Sequence, residues 1–540
     1  MALDVVKTKY GLVKGVTEED VLVFKGVPYA APPVGNLRWK PPVDPVPWEG
    51  IKVCDTYGPR PVQPVSGGLS FEPWGSDFYY MGYPEYSEDC LYLNIATDAQ
   101  SADEKRPVFM WFHGGGLSTG YSYEIEFNPT VLAKKGVIVV TVGQRLNVFG
   151  YLALPQLSAE QGGISGNYGL MDEVKALDWV RENIAAFGGD PDNITIGGQS
   201  GGTAKTGALA RCPKAVGKIK RVINQSSLNW TGSYPSMAEV EQEGVEYIKA
   251  LGFKEDATLE ELRAAGAEVF NVRVGDPFDR KKGPHTPGGM VCDGVWVPNQ
   301  DAAVSFDQYA GHLDYLAGGN YGECMLSTEF GLGGKPMENA KEFYAAAKNV
   351  LGEELYDKYD FEKSYPVEDA QANFLAKRLA VEGLTGFGGN MKNRYFGAYR
   401  AEKFPEAKTY SYVFSHITPS VPDDKKNPLR DPDIMMAWHS SELWYTFDSL
   451  RVGKNGASNV PPIRPWTEYD VQLADIMSSY WANFIKTGDP NGEGLPFWPA
   501  SDKNYGWIDL GDEIISHQGM EGDKDQMLYD YLMNQDIPKL

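Results

Sequence analysis

The sequence has 540 residues and a formal net charge of −23, which argues against the basic surface that nucleic-acid binding requires. Its hydrophobic content of 42% and charged content of 23% are ordinary for a globular protein. No basic segment followed by an apolar run begins the chain, and no apolar stretch reaches the length of a membrane span. Five scattered cysteines form neither a disulfide framework nor a zinc-ligand spacing. We therefore predict a cytoplasmic protein, with secretion after loss of a signal peptide as the alternative.

The first half of the chain contains several predicted strands. Residues 21–27 and 91–95 are short β-rich runs bounded by Gly, Pro and Asp. Residues 107–112 and 137–142 are continuous apolar runs, rich in β-branched and aromatic residues. Such runs are typical of strands that are buried on both faces of a sheet.

A long helix is predicted over residues 169–187, where apolar residues recur at three-, four- and seven-residue steps. Gly188 ends it, and residues 193–197 read as another buried strand. Strands that alternate with helices indicate an α/β protein with a mostly parallel, twisted sheet flanked by helices.

No repeat or obvious linker divides the chain, so we predict one catalytic domain over residues 1–540. Helical and loop insertions, roughly over residues 230–420, are expected to cover an active site. An aromatic segment, roughly residues 65–90, is expected over the mouth of that site.

The strand at 193–197 runs into residues 198–202, which read Gly-Gln-Ser-Gly-Gly. This pattern places a serine on a sharp turn between a strand and a helix, where small neighbours tolerate the strained backbone. The residues that follow, 203–209, are compatible with a helix. Ser200 is therefore the predicted nucleophile, and it requires a base beside it.

A glycine loop lies upstream, where His113 is followed by three glycines directly after the strand at 107–112. Consecutive glycines let the backbone turn its N–H groups toward one point, where they can stabilise a negatively charged oxygen. We assign this oxyanion hole to Gly115 and Gly116, with the N–H of Gly201 as the third donor.

Together with these motifs, the rest of the sequence resembles the type-B carboxylesterases, the cholinesterase-like group of the α/β-hydrolase superfamily. The resemblance covers most of the chain and rests on several blocks in the family's order. These blocks are residues 24–35, 87–94, 166–172, 187–191 and 487–491. The resemblance implies an α/β-hydrolase fold and ester hydrolysis through a Ser-His-Glu triad, without metal or cofactor.

The resemblance also places the other two members of the triad. The family's acid follows a Gly-x-Asn-x-x-Glu pattern, which residues 318–323 match, so that Glu323 is the expected acid. Glu329 and Asp314 fit the spacing less well. His439, in a His-x-x-Glu-Leu segment, is the expected general base. His416 and His517 lack such surroundings and are interpreted as surface or packing residues.

The sequence departs from the family pattern at three positions, and the resemblance also predicts two ion pairs in the scaffold. Gly201 stands where relatives usually have alanine, which keeps the N–H donor but makes the hole less rigid. Gln199 replaces an acidic residue found in choline-ester hydrolases, and Cys90 lacks its usual upstream partner, so that it is a thiol unless Cys54 reaches it. The resemblance pairs two arginines with carboxylates: Arg38 with Glu88, and Arg145 with Asp172.

An aromatic cluster between residues 71 and 86 suggests a substrate class. Trp74, Phe78 and Tyr79 in this cluster, together with Trp230, are the candidate substrate-binding residues. Their rings could stack on an aromatic group of the substrate, which leads to the hypothesis of aryl or hydroxycinnamoyl esters such as feruloyl esters. Packing of the loop on itself is the alternative.

The expected partner is a small-molecule ester, with neither nucleic acid nor membrane. The same triad could serve an amidase or a lactone hydrolase, and the sequence does not separate these from an esterase. A non-catalytic binding protein of the same fold is the alternative from another class, disfavoured because Ser200, Glu323 and His439 are all present.

Overall fold

In the computed structural model, the described residues are 3–63, 84–228, 230–275, 283–323, 325, 331–384, 389–428, 430–450 and 464–540. The chain divides into two compact units. Unit 1 contains the described residues up to Val222 and those from Trp230 to Ala310. Unit 2 contains Ile223–Leu228 and the described residues from Gly311 to Leu540. Of the substrate-binding candidates, Trp74, Phe78 and Tyr79 lie outside the described residues.

The strands, in chain order, are β1 Val5–Lys7, β2 Leu12–Lys14, β3 Val16–Glu18, β4 Val21–Pro28, β5 Ile51–Val53, β6 Arg60–Pro61, β7 Tyr86–Ser87, β8 Tyr92–Thr97, β9 Arg106–Phe112, β10 Ile138–Val142, β11 Gly189–Gln199, β12 Arg221–Gln225, β13 Asp314–Asn320, β14 Thr409–Phe414, β15 Trp507–Leu510 and β16 Ile514–His517.

The α-helices are α1 Thr130–Lys134, α2 Asn147–Tyr151, α3 Pro155–Glu160, α4 Tyr168–Asn183, α5 Gly201–Arg211, α6 Met237–Ala250, α7 Leu259–Ala264, α8 Ala267–Phe270, α9 Ala302–Ser305, α10 Ala340–Leu351, α11 Glu353–Lys358, α12 Phe361–Ser364, α13 Ala372–Leu379, α14 Asn390–Lys403, α15 Pro432–Met435, α16 Leu443–Thr446, α17 Glu468–Thr487 and α18 Gly522–Met533. Short 3-10 turns lie between several of them.

The sheet strands of unit 1 are ordered β11-β9-β10-β8-β4-β3. Strand β9 is parallel to both β10 and β11, whereas β8, β4 and β3 are added antiparallel at one side. Both β10 and the Val108–Phe112 part of β9 are fully buried, as their continuous apolar sequences predict. The predicted parallel arrangement is thus confirmed for β9, β10 and β11. The early strands β3, β4 and β8 are antiparallel and lie at one side of these strands.

The sheet strands of unit 2 are ordered β16-β15-β14-β13, with β13, β14 and β15 parallel and β16 antiparallel. Every residue of β14 is buried. Parallel strands end at the same edge of a sheet, so the loop after β13 and the loop after β14 leave from one side. That edge of unit 2 is where Glu323 follows β13 by three residues.

The helix predicted over 169–187 is observed as α4, followed by a 3-10 turn over Ile184–Phe187. Gly188 ends this turn at a φ of 87°, a left-handed conformation that glycine adopts without steric cost. The strand predicted over 193–197 lies within β11, and the helix predicted after Ser200 is α5. These local predictions are confirmed.

Candidate active site

Ser200 lies between the last residue of β11 and the first residue of α5 in unit 1. Its φ of 56° and ψ of −120° are rare for a residue with a side chain, and backbone strain of this kind concentrates at functional sites. The residue is half-buried, and Thr203 begins the helix by donating both its N–H and its hydroxyl to the Ser200 carbonyl oxygen. The strand, the turn and the helix predicted around the serine are all present.

The glycine loop follows β9 directly, and it lies against the residue after the serine. Gly115 and Gly116 have φ values of 81° and 65°, which only glycine adopts readily. A Cβ on Gly201 would lie 2.0 Å from the carbonyl oxygen of Gly116, closer than any real contact. Glycine at position 201 therefore lets the backbones of Gly116 and Gly201, two of the three predicted oxyanion-hole residues, lie close together.

Glu323 and His439 come together in unit 2. Nδ1 of His439 is hydrogen-bonded to Oε2 of Glu323, while Oε1 of Glu323 accepts the N–H of Asn320 at 2.7 Å. The segment carrying His439 is held beside Glu323 because the N–H of Gly322 donates to the Ala437 carbonyl oxygen at 2.7 Å. The two residues that the resemblance selected are thus a hydrogen-bonded pair, although 116 positions separate them in the chain.

Burial opposes a charge on His439, but the Glu323 carboxylate outweighs this effect, so that the pKa of His439 is raised above its usual value. A carboxylate at Nδ1 fixes the proton on that nitrogen and stabilises the imidazolium. The ring can then receive a proton at Nε2. This is the arrangement that a general base needs.

Glu442, in the same segment as His439, carries a second buried carboxylate. Its Oε2 accepts from Nδ2 of Asn320 at 2.6 Å, and its Oε1 accepts from the Ser226 hydroxyl at 3.2 Å. Burial, and then the Glu323 charge, raises the pKa of Glu442 to about 7. Glu442 has no role predicted from sequence, although it is the glutamate of the His-x-x-Glu-Leu segment.

Other predictions concern the scaffold of unit 1. Arg38 pairs with Glu88 at 2.5 Å and Arg145 pairs with Asp172 at 2.7 Å, which confirms both predicted ion pairs. Cys90 and Cys54 are unpaired thiols. Trp230 is 1% exposed and packs edge-on against Phe306, with ring centroids 5.8 Å apart; its role in substrate binding stays a prediction.

Neither a metal site nor a membrane-spanning helix is seen in the described part of the chain. No group of three or more His, Cys, Asp or Glu side chains there is arranged to hold a metal ion. No helix there is both long and apolar enough to cross a bilayer.

The chain matches the carboxylesterase family over residues 2–527. It is 30% identical to the para-nitrobenzyl esterase of Bacillus subtilis (strain 168), over 98% of this chain and 99% of that protein. It is also 30% identical to the fumonisin B1 esterase of Sphingopyxis macrogoltabida, over 95% of this chain and 87% of that protein, and to carboxylesterase 1E of Mus musculus, over 93% and 88%.

Among solved structures, a PNB esterase superposes with a TM-score of 0.73 at 29% identity, covering 98% of this chain and 99% of the other. A carboxylesterase of Geobacillus stearothermophilus gives 0.72 at 29% identity, over 97% and 100%. The fold is therefore that of an α/β-hydrolase. The chain belongs to the carboxylesterase family, and it is a serine carboxylic-ester hydrolase.

Proposed function

We propose that Ser200, His439 and Glu323 are the catalytic triad of this esterase, and that Gly115, Gly116 and Gly201 supply its oxyanion hole. The observation that supports the proposal is the combination of a strained turn at Ser200 with a Glu323–His439 hydrogen bond. The three residues follow one another along the chain in the order Ser, acid, His.

In the proposed reaction, Oγ of Ser200 bonds to the ester carbonyl carbon while His439 takes the hydroxyl proton at Nε2. The carbonyl oxygen becomes an oxyanion, which the N–H groups of the glycine loop and Gly201 stabilise. The bond to the alcohol oxygen then breaks, and His439 returns the proton to that oxygen. Water repeats the sequence on the acyl-enzyme, which releases the acid and restores the Ser200 hydroxyl.

An organophosphonate probe tests the nucleophile. The wild-type protein should be labelled at one serine and should lose esterase activity in parallel, because the probe bonds to the activated hydroxyl. Ser200→Ala should be neither labelled nor active, whereas Ser158→Ala, at a buried serine in α3, should behave as wild type. Labelling that persists in Ser200→Ala would contradict the proposal.

We further propose aryl or hydroxycinnamoyl esters, such as feruloyl esters, as the substrate class. Two observations support it: the concentration of aromatic residues between positions 71 and 86, and a relative named for a para-nitrobenzyl ester, which carries an aromatic group. An aromatic contact contributes about 0.5–1.5 kcal/mol beyond area burial, so kcat/KM should favour the aromatic ester about two- to tenfold.

The test compares methyl ferulate with methyl butyrate, using the same purified enzyme. A higher kcat/KM for methyl ferulate is expected, and Trp74→Ala should reduce that ratio while leaving methyl butyrate hydrolysis unchanged. Preference for methyl butyrate would overturn this substrate class without affecting the proposed triad.

The cytoplasm is the compartment we propose. The thiols of Cys54, Cys90, Cys212 and Cys292 are unpaired, which fits a reducing environment. Fractionation of the native host with an antibody to this chain tests it; recovery from the culture medium would contradict it.

A further inference from the structure

A lysine is buried beneath the glycine loop of unit 1. Lys205 lies on α5, five residues after Ser200, and its side chain is 0% exposed. Burying an ammonium group is costly unless it is fully hydrogen-bonded and opposed by negative charge. The triad chemistry makes no use of this residue, so its position requires an explanation.

The ammonium group of Lys205 has three protons and faces three acceptors. Nζ lies 2.9 Å from the His113 carbonyl oxygen, and it lies 3.4 Å from Nε2 and 3.5 Å from Nδ1 of the His113 ring. The amide oxygen of Gln144 accepts at 2.5 Å in the orientation that also lets its NH2 group donate to the Val142 carbonyl oxygen at 2.9 Å. Only the protonated lysine can donate to all three acceptors at once.

The His113 ring transmits this contact into the glycine loop. Its Nδ1 lies 3.0 Å from the Gly114 carbonyl oxygen, and a carbonyl oxygen only accepts, so Nδ1 carries the proton. Nε2 is then the ring nitrogen that can accept from Lys205, whose Nζ lies at similar distances from Nε2 and Nδ1. Burial, reinforced by the Lys205 charge, holds the pKa of His113 well below its usual value, which keeps this ring neutral.

The contacts fix two successive peptide planes of the loop. A trans peptide is planar, and its C=O and N–H point in opposite directions. Lys205 holds the His113 carbonyl oxygen, which directs the N–H of Gly114 the other way. The His113 ring holds the Gly114 carbonyl oxygen, which directs the N–H of Gly115 away from the ring. Gly115 is one of the proposed oxyanion donors.

Two buried carboxyl groups interact electrostatically with Lys205 and oppose the loss of its proton. Glu124 lies in the loop before the 3-10 turn at Ile125–Phe127 and accepts the N–H of Tyr121 at 2.9 Å. Glu173 lies on α4 and is 0% exposed. Burial raises the pKa of each carboxyl to about 8, against the effect of Lys205. With His113, these are the titratable groups that act on Lys205.

We propose that Lys205 is a positioning residue for the oxyanion hole: its ammonium group fixes His113 and, through it, the peptide of Gly114 and Gly115. The inference rests on the proposed function, because it assumes that Gly115 is a donor to the oxyanion. In this proposal α5 carries both the nucleophile and a residue that positions the oxyanion hole.

The first experiment replaces Lys205 by methionine, which keeps the length of the side chain and removes its three donors. Because the loop donors act on the transition state, kcat should fall 10- to 100-fold while KM changes less than twofold. A trifluoromethyl ketone, which forms an oxyanion on addition of Ser200, should lose affinity by the same factor. Lys218→Met, at a half-buried lysine paired with Asp178, is the matched control and should leave both values unchanged.

The second experiment is the pH profile of kcat. Burial, opposed by the charges of Glu173 and Glu124, lowers the pKa of Lys205 to about 7. As the pH rises through that value the amine loses a donor, so wild-type kcat should decline toward alkaline pH. Lys205→Met should lack this alkaline decline, a change that a merely structural role would not produce.

The outcomes separate this inference from the proposed function. Native kcat in a folded Lys205→Met protein, or an identical alkaline decline in both proteins, overturns the positioning role while Ser200 labelling stands. If the variant does not fold, the wild-type profile decides, and a kcat that stays constant from pH 6 to pH 10 overturns the role. Failure of Ser200 labelling in the wild type overturns the proposed function itself.

Discussion

Two histidines of unit 2 are buried against carboxylates, and they differ in the carboxylates that their ring nitrogens contact. Nδ1 of His439 is bonded to Glu323. His416 instead has Nδ1 2.6 Å from Asp512 and Nε2 2.9 Å from Asp470. The pKa of both rings is raised, since carboxylates outweigh burial in each case.

The comparison shows that a raised histidine pKa does not by itself identify a catalytic base. His416 uses both nitrogens to bond carboxylates, so it is stabilised as a cation and has no nitrogen left to accept a substrate proton in that arrangement. Asp470 also accepts the Tyr445 hydroxyl at 2.6 Å and caps the N-terminus of α17 through Thr467. His416 therefore belongs to the scaffold, and its contacts anchor a helix.

The strongest test of this difference substitutes each histidine by glutamine. His439→Gln should lower kcat by about 10⁶-fold, as expected for loss of the proposed general base, whereas His416→Gln should change kcat less than threefold. Steady-state hydrolysis of a short-chain nitrophenyl ester measures both. A larger loss of kcat in His416→Gln than in His439→Gln, with both proteins folded, would contradict this distinction between the two histidines.

Glu323→Gln should lower kcat by about 10⁴-fold, because an amide can hold the wrong tautomer of His439 and cannot stabilise its cation. Glu329, the rival that fits the family spacing less well, provides the control, and Glu329→Gln should retain wild-type kcat. Equal losses in the two variants would contradict the assignment of Glu323.

His416→Gln should act on stability instead. The folded-state pKa of His416 lies above its unfolded value, so its stabilisation is fully present below the unfolded pKa and is lost as the pH rises through the folded pKa. We expect the variant to lose about 1–3 kcal/mol of unfolding free energy at pH 5.5 and less at pH 9. Urea unfolding at the two pH values measures this; a deficit that grows with pH would refute it.

The smallest effect is expected at Glu442. Its charge contributes to the raised pKa of His439, so Glu442→Gln should move the acid limb of the kcat profile to lower pH, with kcat at the plateau reduced less than tenfold. Glu382→Gln, at a carboxylate paired with Arg378 on another helix, should leave the acid limb in place. A shift to higher pH would contradict the sign of this interaction.

Features that depend on neighbouring residues could be predicted from the amino-acid sequence alone. The turn at Ser200 is specified by small residues on both sides, a strand before it and a helix after it, all within about 20 positions. The glycine loop is likewise a local pattern that follows one strand. Glu323 and His439 were found because each carries a short segment that resembles the family, although periodicity and composition could not have paired them.

Which distant side chains share a buried environment could be read only from the folded chain. Lys205 is 92 positions from His113, and His416 is 54 and 96 positions from its two carboxylates. Nothing in the local sequence indicates that Lys205 is buried or that His416 contacts two carboxylates, and sequence alone predicts only a surface or packing role for His416. Burial and charge act through space, so pKa values and the positioning of the glycine loop emerge only when the chain is folded.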